Sequence, residues 1–289
     1  MHDFRDVHEM QARTELSMDM PSAYTAPASV DAWRHRRMLD RVGPLLQAMP
    51  NSTWMTVGDG RFGSDAAYLK AKGHSACASS LTADSLLAAQ QMGRIDEFAV
   101  ENAERLSPLD DSFDFVLCKE AFHHFPRPPI ALYEMLRVAR IAAVMIEPID
   151  NPRVLDGVKS VVKRLLRGDS SQLFEPSGNY IYRPSIREVH KLMLAMGGKW
   201  VAHSFINDFY HARFASHEYR RGSLPTELTL LGVAVQDALC ALRLMGYGLA
   251  CIVVFKRAPS AELVSSLRKA SFLLQELPSN PYLPNSDLR

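Results

Sequence analysis

Apolar positions recur along the chain with two different periods. Over residues 31–49, Trp33, Met38, Leu39, Val42, Leu45 and Leu46 fall at helical spacing, Asp31 stands where an N-cap belongs and Pro50 closes the segment. From residue 53 onward, short apolar runs alternate with helical patterns. Strands are expected at 53–57, 74–80, 98–100, 113–118 and 141–146, and helices at 64–72, 83–92 and 129–139. Parallel strands need crossover connections, and these are usually helical, so the alternation predicts a doubly wound α/β unit with a mostly parallel sheet.

After Asp150 the pattern changes. A basic helix is expected over 154–167, a loop rich in turn residues over 168–182, a helix over 185–196 and a strand over 200–205. A polar, aromatic loop at 207–225 then leads to a long apolar helix at 227–245 and a last strand at 249–255, which brings the expected sheet to seven strands. The first twenty residues have no clear period and run into Pro21 and Pro27, the signature of a loosely held arm, and the segment after Pro278 reads as a frayed tail. No internal repeat is visible.

Composition changes this picture only by exclusion. With 47% hydrophobic and 22% charged residues the chain has ordinary globular usage. Thirty-three Lys and Arg against 32 Asp and Glu leave a formal net charge of +1, so no global field exists to recruit nucleic acid or an anionic membrane. Cys77, Cys118, Cys240 and Cys251 lie far apart in apolar surroundings without metal or redox spacing, and read as buried thiols. The start of the chain lacks the apolar core of a secretory signal, so a cytoplasmic location is expected. The longest apolar stretch, 228–255, is interrupted by Gln236, Asp237, Arg243 and several glycines, so no membrane span is expected.

The chemistry begins where the first strand runs into Val57-Gly58-Asp59-Gly60-Arg61-Phe62-Gly63 and a helix opens at Ser64. Glycines there let the backbone turn sharply and approach a ligand, and the helix start offers unpaired N–H groups. The spacing G-x-G-x-x-G by itself suits nicotinamide, flavin or S-adenosylmethionine (SAM). A nucleotide site of this kind normally wants a carboxylate at the end of the second strand to accept from the ribose hydroxyls, and Ser80 occupies that position. A serine accepts without the added strength of a charge.

The downstream segments are more specific. Glu101-Asn102-Ala103-Glu104 follows the third strand, Asp111-Ser112-Phe113-Asp114 opens the fourth, and Cys118-Lys119-Glu120-Ala121-Phe122-His123-His124-Phe125 follows it. In order and spacing these resemble the Rossmann-like (class I) SAM-dependent methyltransferases over residues 52–150. The resemblance implies SAM as cofactor, with Gly58, Asp59, Gly60, Ser80, Asn102, Ala103 and Glu120 along its site. Asn102 and Ala103 would stand at the adenine edge, and Asp59 and Glu120 are candidate acceptors for the methionine ammonium. Thr56, like Ser80, stands where the family usually has an acid. The organisation that follows is an N-terminal arm and helix at 1–50, the SAM-binding core at 51–150, an acceptor-capping insertion with completion of the sheet at 151–257, and a C-terminal helix and tail at 258–289.

His123 and His124 have two readings. They pack and cap the turn, or one faces the methyl donor and removes a proton from the acceptor hydroxyl, a task suited to a group that titrates near neutrality. Sugar-methylating members of the family carry a similar pair with an acid after the fifth strand, where Glu147 stands. A metal held by these residues ranks behind the base reading, because adjacent histidines rarely point the same way from one backbone. In the 174–183 segment, Tyr180, Tyr182 and Arg183 offer apolar faces and directed hydrogen bonds to a polyhydroxylated acceptor. The segment resembles methyltransferases of bacterial surface-polysaccharide pathways. The expected partner is thus a small molecule, a sugar or a nucleotide-linked sugar, with a homodimer possible. A nicotinamide oxidoreductase on the same glycine loop, and a degenerate methyltransferase fold that only binds, stand as the alternatives.

Overall fold

In a computed structural model, the structure describes Met10, Arg13 and residues 28–156, 173–174 and 180–282. The expected arm, most of the 154–167 helix, residues 168–172 and 175–179 of the 168–182 loop and the end of the tail lie outside the described residues; Val154–Asp156 alone shows the helix beginning.

The chain enters through α1 (Val30–Leu39), a 3-10 turn (Asp40–Val42) and α2 (Gly43–Ala48). The 31–49 pattern is therefore two helices. Pro44 forces the break, since a proline has no N–H to donate and is tolerated only in a first helical turn. The cap of α1 is Ser29, whose hydroxyl accepts from the Ala32 N–H at 3.0 Å, and Asp31 is instead buried inside the first turn. The doubly wound half follows as β1 (Thr53–Val57), α3 (Ser64–Ala71), β2 (Ser75–Ser80), α4 (Asp84–Gln91), β3 (Glu97–Val100), β4 (Phe113–Lys119), α5 (Pro128–Val138) and β5 (Ala139–Pro148). The rest comprises α6 (Ile186–Met196), β6 (Trp200–Ile206), the short α7 (Ala212–Ala215) inside the expected loop, α8 (Leu224–Ala241), β7 (Leu249–Phe255), α9 (Ala261–Lys269) and β8 (Leu273–Glu276).

One sheet carries all eight strands in the order β3-β2-β1-β4-β5-β7-β6-β8. The pairs from β3 through β5 are parallel and those involving β7 or β8 antiparallel. The expected seven strands are thus joined by an eighth, β8, a four-residue edge strand against β6 that is too short to show a period. β7 is buried at every position, and β4 and β5 nearly so, which is why they read as continuous apolar runs: helices cover both faces. On one face Met55, Val116, Leu132, Met135, Val189 and Met193 pack beneath α5 and α6. On the other, Trp54 stacks on Phe115 at 4.5 Å beside Leu45, Leu69, Leu263 and Leu267. Three of the four cysteines are buried and none is bonded to another. Among the described residues no helix is long and apolar enough to cross a membrane.

The strand order reverses between β1 and β4, so their C-terminal ends diverge and leave a crevice, the usual ligand position in such sheets. Behind the crevice the sheet is pinned by Lys256. Its buried ammonium donates to the carbonyls of Arg137 (3.0 Å) and Ala139 (3.1 Å) at the end of α5 and to Asp111 (2.7 Å). A lysine there satisfies carbonyls that the helix terminus leaves unpaired. Lys256→Met is expected to cost roughly 1.5–3 kcal/mol, the range for hydrogen bonds to a charged group. Urea unfolding with an unchanged slope and a lowered midpoint checks this.

Candidate functional site

The glycine loop is tight for reasons of packing as well as of ligand approach. Gly58 has φ +76°, and a Cβ there would lie 2.4 Å from the Cβ of Ala121 in the turn after β4. Gly63 has φ +58°, and its Cβ would meet Ile95 at 2.7 Å. With Gly63 at the N-cap of α3, no side chain of its own can cap the helix. Asp59 does so from within the loop. Its carboxyl accepts from the N–H groups of Asp65 (3.2 Å) and Ala66 (2.9 Å) and from the Thr56 hydroxyl (2.9 Å). Thr56, which replaces an expected acid, therefore supports the acid three residues on. Asp59 is 2% exposed. Burial, and then the charge of nearby Asp65, raise its pKa to about 8 against the pull of the hydrogen bonds. Although it borders the cavity described below, its oxygens serve the helix.

The turn after β4 is organised by Glu147, in β5 and fully buried. One oxygen accepts from the N–H groups of Ala121 (2.9 Å) and Phe122 (3.0 Å), and the other lies 2.6 Å from His123 Nδ1. A single carboxylate thereby fixes the short 3-10 turn Phe122–His124 and the orientation of the imidazole. The rings of His123 and His124 are 3.9 Å apart, and the backbone carbonyl of His123 accepts from the Tyr182 N–H at 3.0 Å.

Between these two turns lies a charged cluster that the sequence did not reveal. Lys119, at the end of β4, is buried, with its Nζ 3.4 Å from Asp65, 3.8 Å from Glu120 and 3.2 Å from His35 Nδ1. Burial opposes its charge, but the carboxylates of Asp65 and Glu120 outweigh it and hold the ammonium above the usual lysine range. Glu120, in a left-handed conformation (φ +50°), lies 3.1 Å from His35 Nδ1. Burial would raise its pKa, yet the hydrogen bond with His35 and the charges of Lys119, His35 and Arg61 hold it well below the usual carboxylate range. Arg61 also contacts His35 Nε2. Arg34 joins Asp31 to Asp208, and so ties α1 to the segment after β6.

These groups wall a cavity of about 830 Å³ at the strand ends. Of the residues expected in the site, Gly58, Asp59, Gly60, Glu120, His123, His124 and Arg183 border it, and Glu147 stands directly behind His123. Lys119, Arg34, His35, Arg61, Asp150, Asn151, Asp208, Tyr210 and Tyr247 border it as well. Ser80, Asn102 and Ala103 do not. Ser80 is buried at the end of β2 beside Val100, the Asn102 side-chain oxygen already accepts from the Glu104 N–H (2.9 Å), and Ala103 packs in the core. Tyr180 and Tyr182 are also placed elsewhere. Tyr180 is exposed against Phe174, and the Tyr182 hydroxyl donates to Glu188 (3.3 Å) at the start of α6. The cavity chemistry fits a zwitterion, since it sets a carboxylate, Glu120, beside the cations Lys119 and Arg61.

Residues 55–146 match the methyltransferase domain family. No curated protein shows significant sequence similarity to the chain. Among solved structures the chain is similar to the YcgJ protein of Bacillus subtilis (19% identity, 78% of this chain and 100% of that one, TM-score 0.51). It is also similar to a possible histamine N-methyltransferase of Thermotoga maritima (17% identity, 88% and 100%, TM-score 0.47). A third is the magnesium protoporphyrin IX methyltransferase of Synechocystis with bound S-adenosylhomocysteine (15% identity, 78% and 84%, TM-score 0.48). At these identities the likeness is one of fold.

Asp59 gives a test of the loop. A carboxyl whose folded pKa is raised from 3.8 to about 8 adds stability that is complete below pH 4 and is lost as pH rises toward 8. The melting temperature of the wild type, relative to that of Asp59→Asn, is therefore expected to fall from pH 5 to 8 and then level off. A difference independent of pH would show that Asp59 is not held protonated.

Proposed function

We propose that this SAM-dependent methyltransferase transfers its methyl group to a hydroxyl of a small polyhydroxylated acceptor, a sugar or a nucleotide-linked sugar. The observation that carries this reading is the His123–Glu147 pair at the cavity wall, with Nδ1 and the carboxylate 2.6 Å apart. An alcohol must lose a proton as its oxygen is methylated, and a base oriented by a buried acid is what that step asks for.

The donor, when bound, supplies an electrophilic sulfonium methyl group, and the remaining contributions fall to the chain. The glycine loop and Glu120 border the donor end of the cavity. His123 donates its Nδ1–H to Glu147, which makes Nε2 the basic nitrogen and sets the tautomer before the acceptor arrives. Glu147 is fully buried behind the ring, so it positions the imidazole and offsets the positive charge that forms on it. Elsewhere on the cavity lining, Tyr247, stacked on Phe205 at 5.2 Å, and Tyr210, under the Arg34 guanidinium at 4.7 Å, offer aromatic surface, and Asp150, Asn151 and Arg183 offer polar groups to hydroxyls. A volume of about 830 Å³ is enough to hold donor and acceptor side by side, so that transfer runs between groups held in one cavity.

His123→Ala is expected to lower kcat by about 10²–10⁴-fold with little change in donor affinity. Glu147→Gln keeps an oxygen for the Ala121 and Phe122 N–H groups but turns an amide NH₂ toward Nδ1, which forces the proton onto Nε2. Its loss is expected to approach that of His123→Ala. Methyl-labelled SAM, offered with a panel of glycosides, nucleotide-linked sugars, phenols and amines, identifies the acceptor. Label found on nitrogen alone, or near-normal turnover of both variants, overturns the reading.

A further inference from the structure

We propose that two copies of this chain associate through α8, the two helices packed antiparallel about a two-fold axis. Leu224, Leu231, Val235 and Leu242 are 71%, 58%, 49% and 67% exposed, and Leu228 and Ala238 between them are exposed as well. Single exposed leucines are ordinary on a protein surface, but a continuous row of them marks a contact site. The row lies along α8 and its C-cap, Leu242, and the chain then passes into Gly246, Tyr247, Gly248 and Leu249 on the cavity lining. A partner on α8 therefore packs beside the approach to the site.

The outward direction of this row is fixed by what the other face of α8 touches. Thr226, Thr229, Val233 and Cys240 are buried. A Cβ on Gly232 would meet the Phe209 ring at 2.5 Å, and the Asn207 amide donates to Asp237 at 2.8 Å. The helix cannot roll to bury its leucines without breaking these contacts.

The spacing of the row says what it fits. Residues 224, 228, 231, 235, 238 and 242 follow one another by four and three positions alternately, the repeat that lets one helix seat its side chains between those of another. Reversed on itself about the level of residue 233, the row is self-complementary, as a two-fold contact requires. Leu231 then faces the partner's Val235, Leu228 the partner's Ala238, and Leu224 the partner's Leu242. The exposed Ala234 lies at the axis, where a small side chain lets the two helices approach. Charge selects the same direction. Glu227 flanks one end of the row and Arg243 the other, so antiparallel pairing brings opposite charges together and parallel pairing sets like beside like. A lipid surface is a poorer occupant, because it asks for lysines or arginines along the helix, and the charged residues of α8 are Glu227 and Asp237.

Analytical ultracentrifugation of the full-length protein tests this. The wild type is expected to sediment as a dimer at about 10 µM. Leu231→Glu and Val235→Lys, each a change at an exposed position, are expected to sediment as monomers, with dissociation constants raised about 100-fold or more. Mixing the two variants is expected to restore a dimer, because residue 231 of one copy faces residue 235 of the other and the two new charges are opposite. A short bis-maleimide is expected to join Ala234→Cys to its own copy, with the wild type as control for the native thiols. A wild type that is monomeric at that concentration, a dimer that Leu231→Glu leaves unchanged, or a mixture no more associated than its components overturns the proposal. So does a monomer that binds vesicles of phosphatidylethanolamine and phosphatidylglycerol through these leucines, or one in which residues 157–172 cross-link to α8, since the occupant is then lipid or the chain itself.

Discussion

The site depends first on one carboxylate buried in the middle of the sheet. Glu147 accepts from two successive backbone N–H groups after β4 and from the ring of His123, all within 3.0 Å. A buried carboxylate is costly unless its lone pairs are used, and here the backbone of the neighbouring strand uses them. The consequence is positional. Neither the turn nor the imidazole can move without leaving Glu147 unsatisfied, so the His123 ring has a fixed place before any ligand binds. Strand pairing supplies the precision, because β4 and β5 are in parallel register up to Lys119 and Ile146, the residues just before the turn and the acid.

Asp59 solves the same problem differently. It too is buried and accepts from two successive N–H groups, those that open α3. Its neighbour Asp65 carries a like charge, and the pair is relieved by raising Asp59 and by placing Lys119 against Asp65. The glycine loop, the start of α3 and the end of β4 are thus one electrostatic unit. Gly58 closes it sterically, because any side chain there would strike Ala121 in the turn that Glu147 holds.

Much of this was legible in the sequence, and the reason is locality. The strands of the core are long apolar runs, the glycine loop lies between a strand and a helix, His123 follows a strand and Glu147 stands near the end of one, so period and order were enough to place them. The misses share the opposite property. β8 is an edge strand of four residues with one partner. Ser29 took the cap from Asp31 because Asp31 finds Arg34 and His35, contacts that depend on where α1 docks. Tyr180 and Tyr182 looked like acceptor contacts from composition alone, yet a Phe174 ring and the Glu188 capping carboxylate claim them. Lys119 reads in sequence as the polar end of a strand, and nothing local shows that it is buried against Asp65 of α3 and His35 of α1.

The role of α1 follows from those long-range contacts. Arg34 reaches Asp208, 174 positions away, Trp33 stacks on Tyr219 at 4.9 Å, and the Val30 N–H donates to the His217 carbonyl at 2.8 Å. The same helix delivers His35 to Glu120 and Lys119. One element therefore joins the charged cluster at the cavity to the connection between β6 and α8, which carries Asp208 and Tyr210 to the same lining. The cluster and that connection are braced against each other through α1 and not through the sheet alone. A displacement of α1 must break the Arg34 bridge or shift the connection with it, so the geometry of these parts of the lining is set jointly.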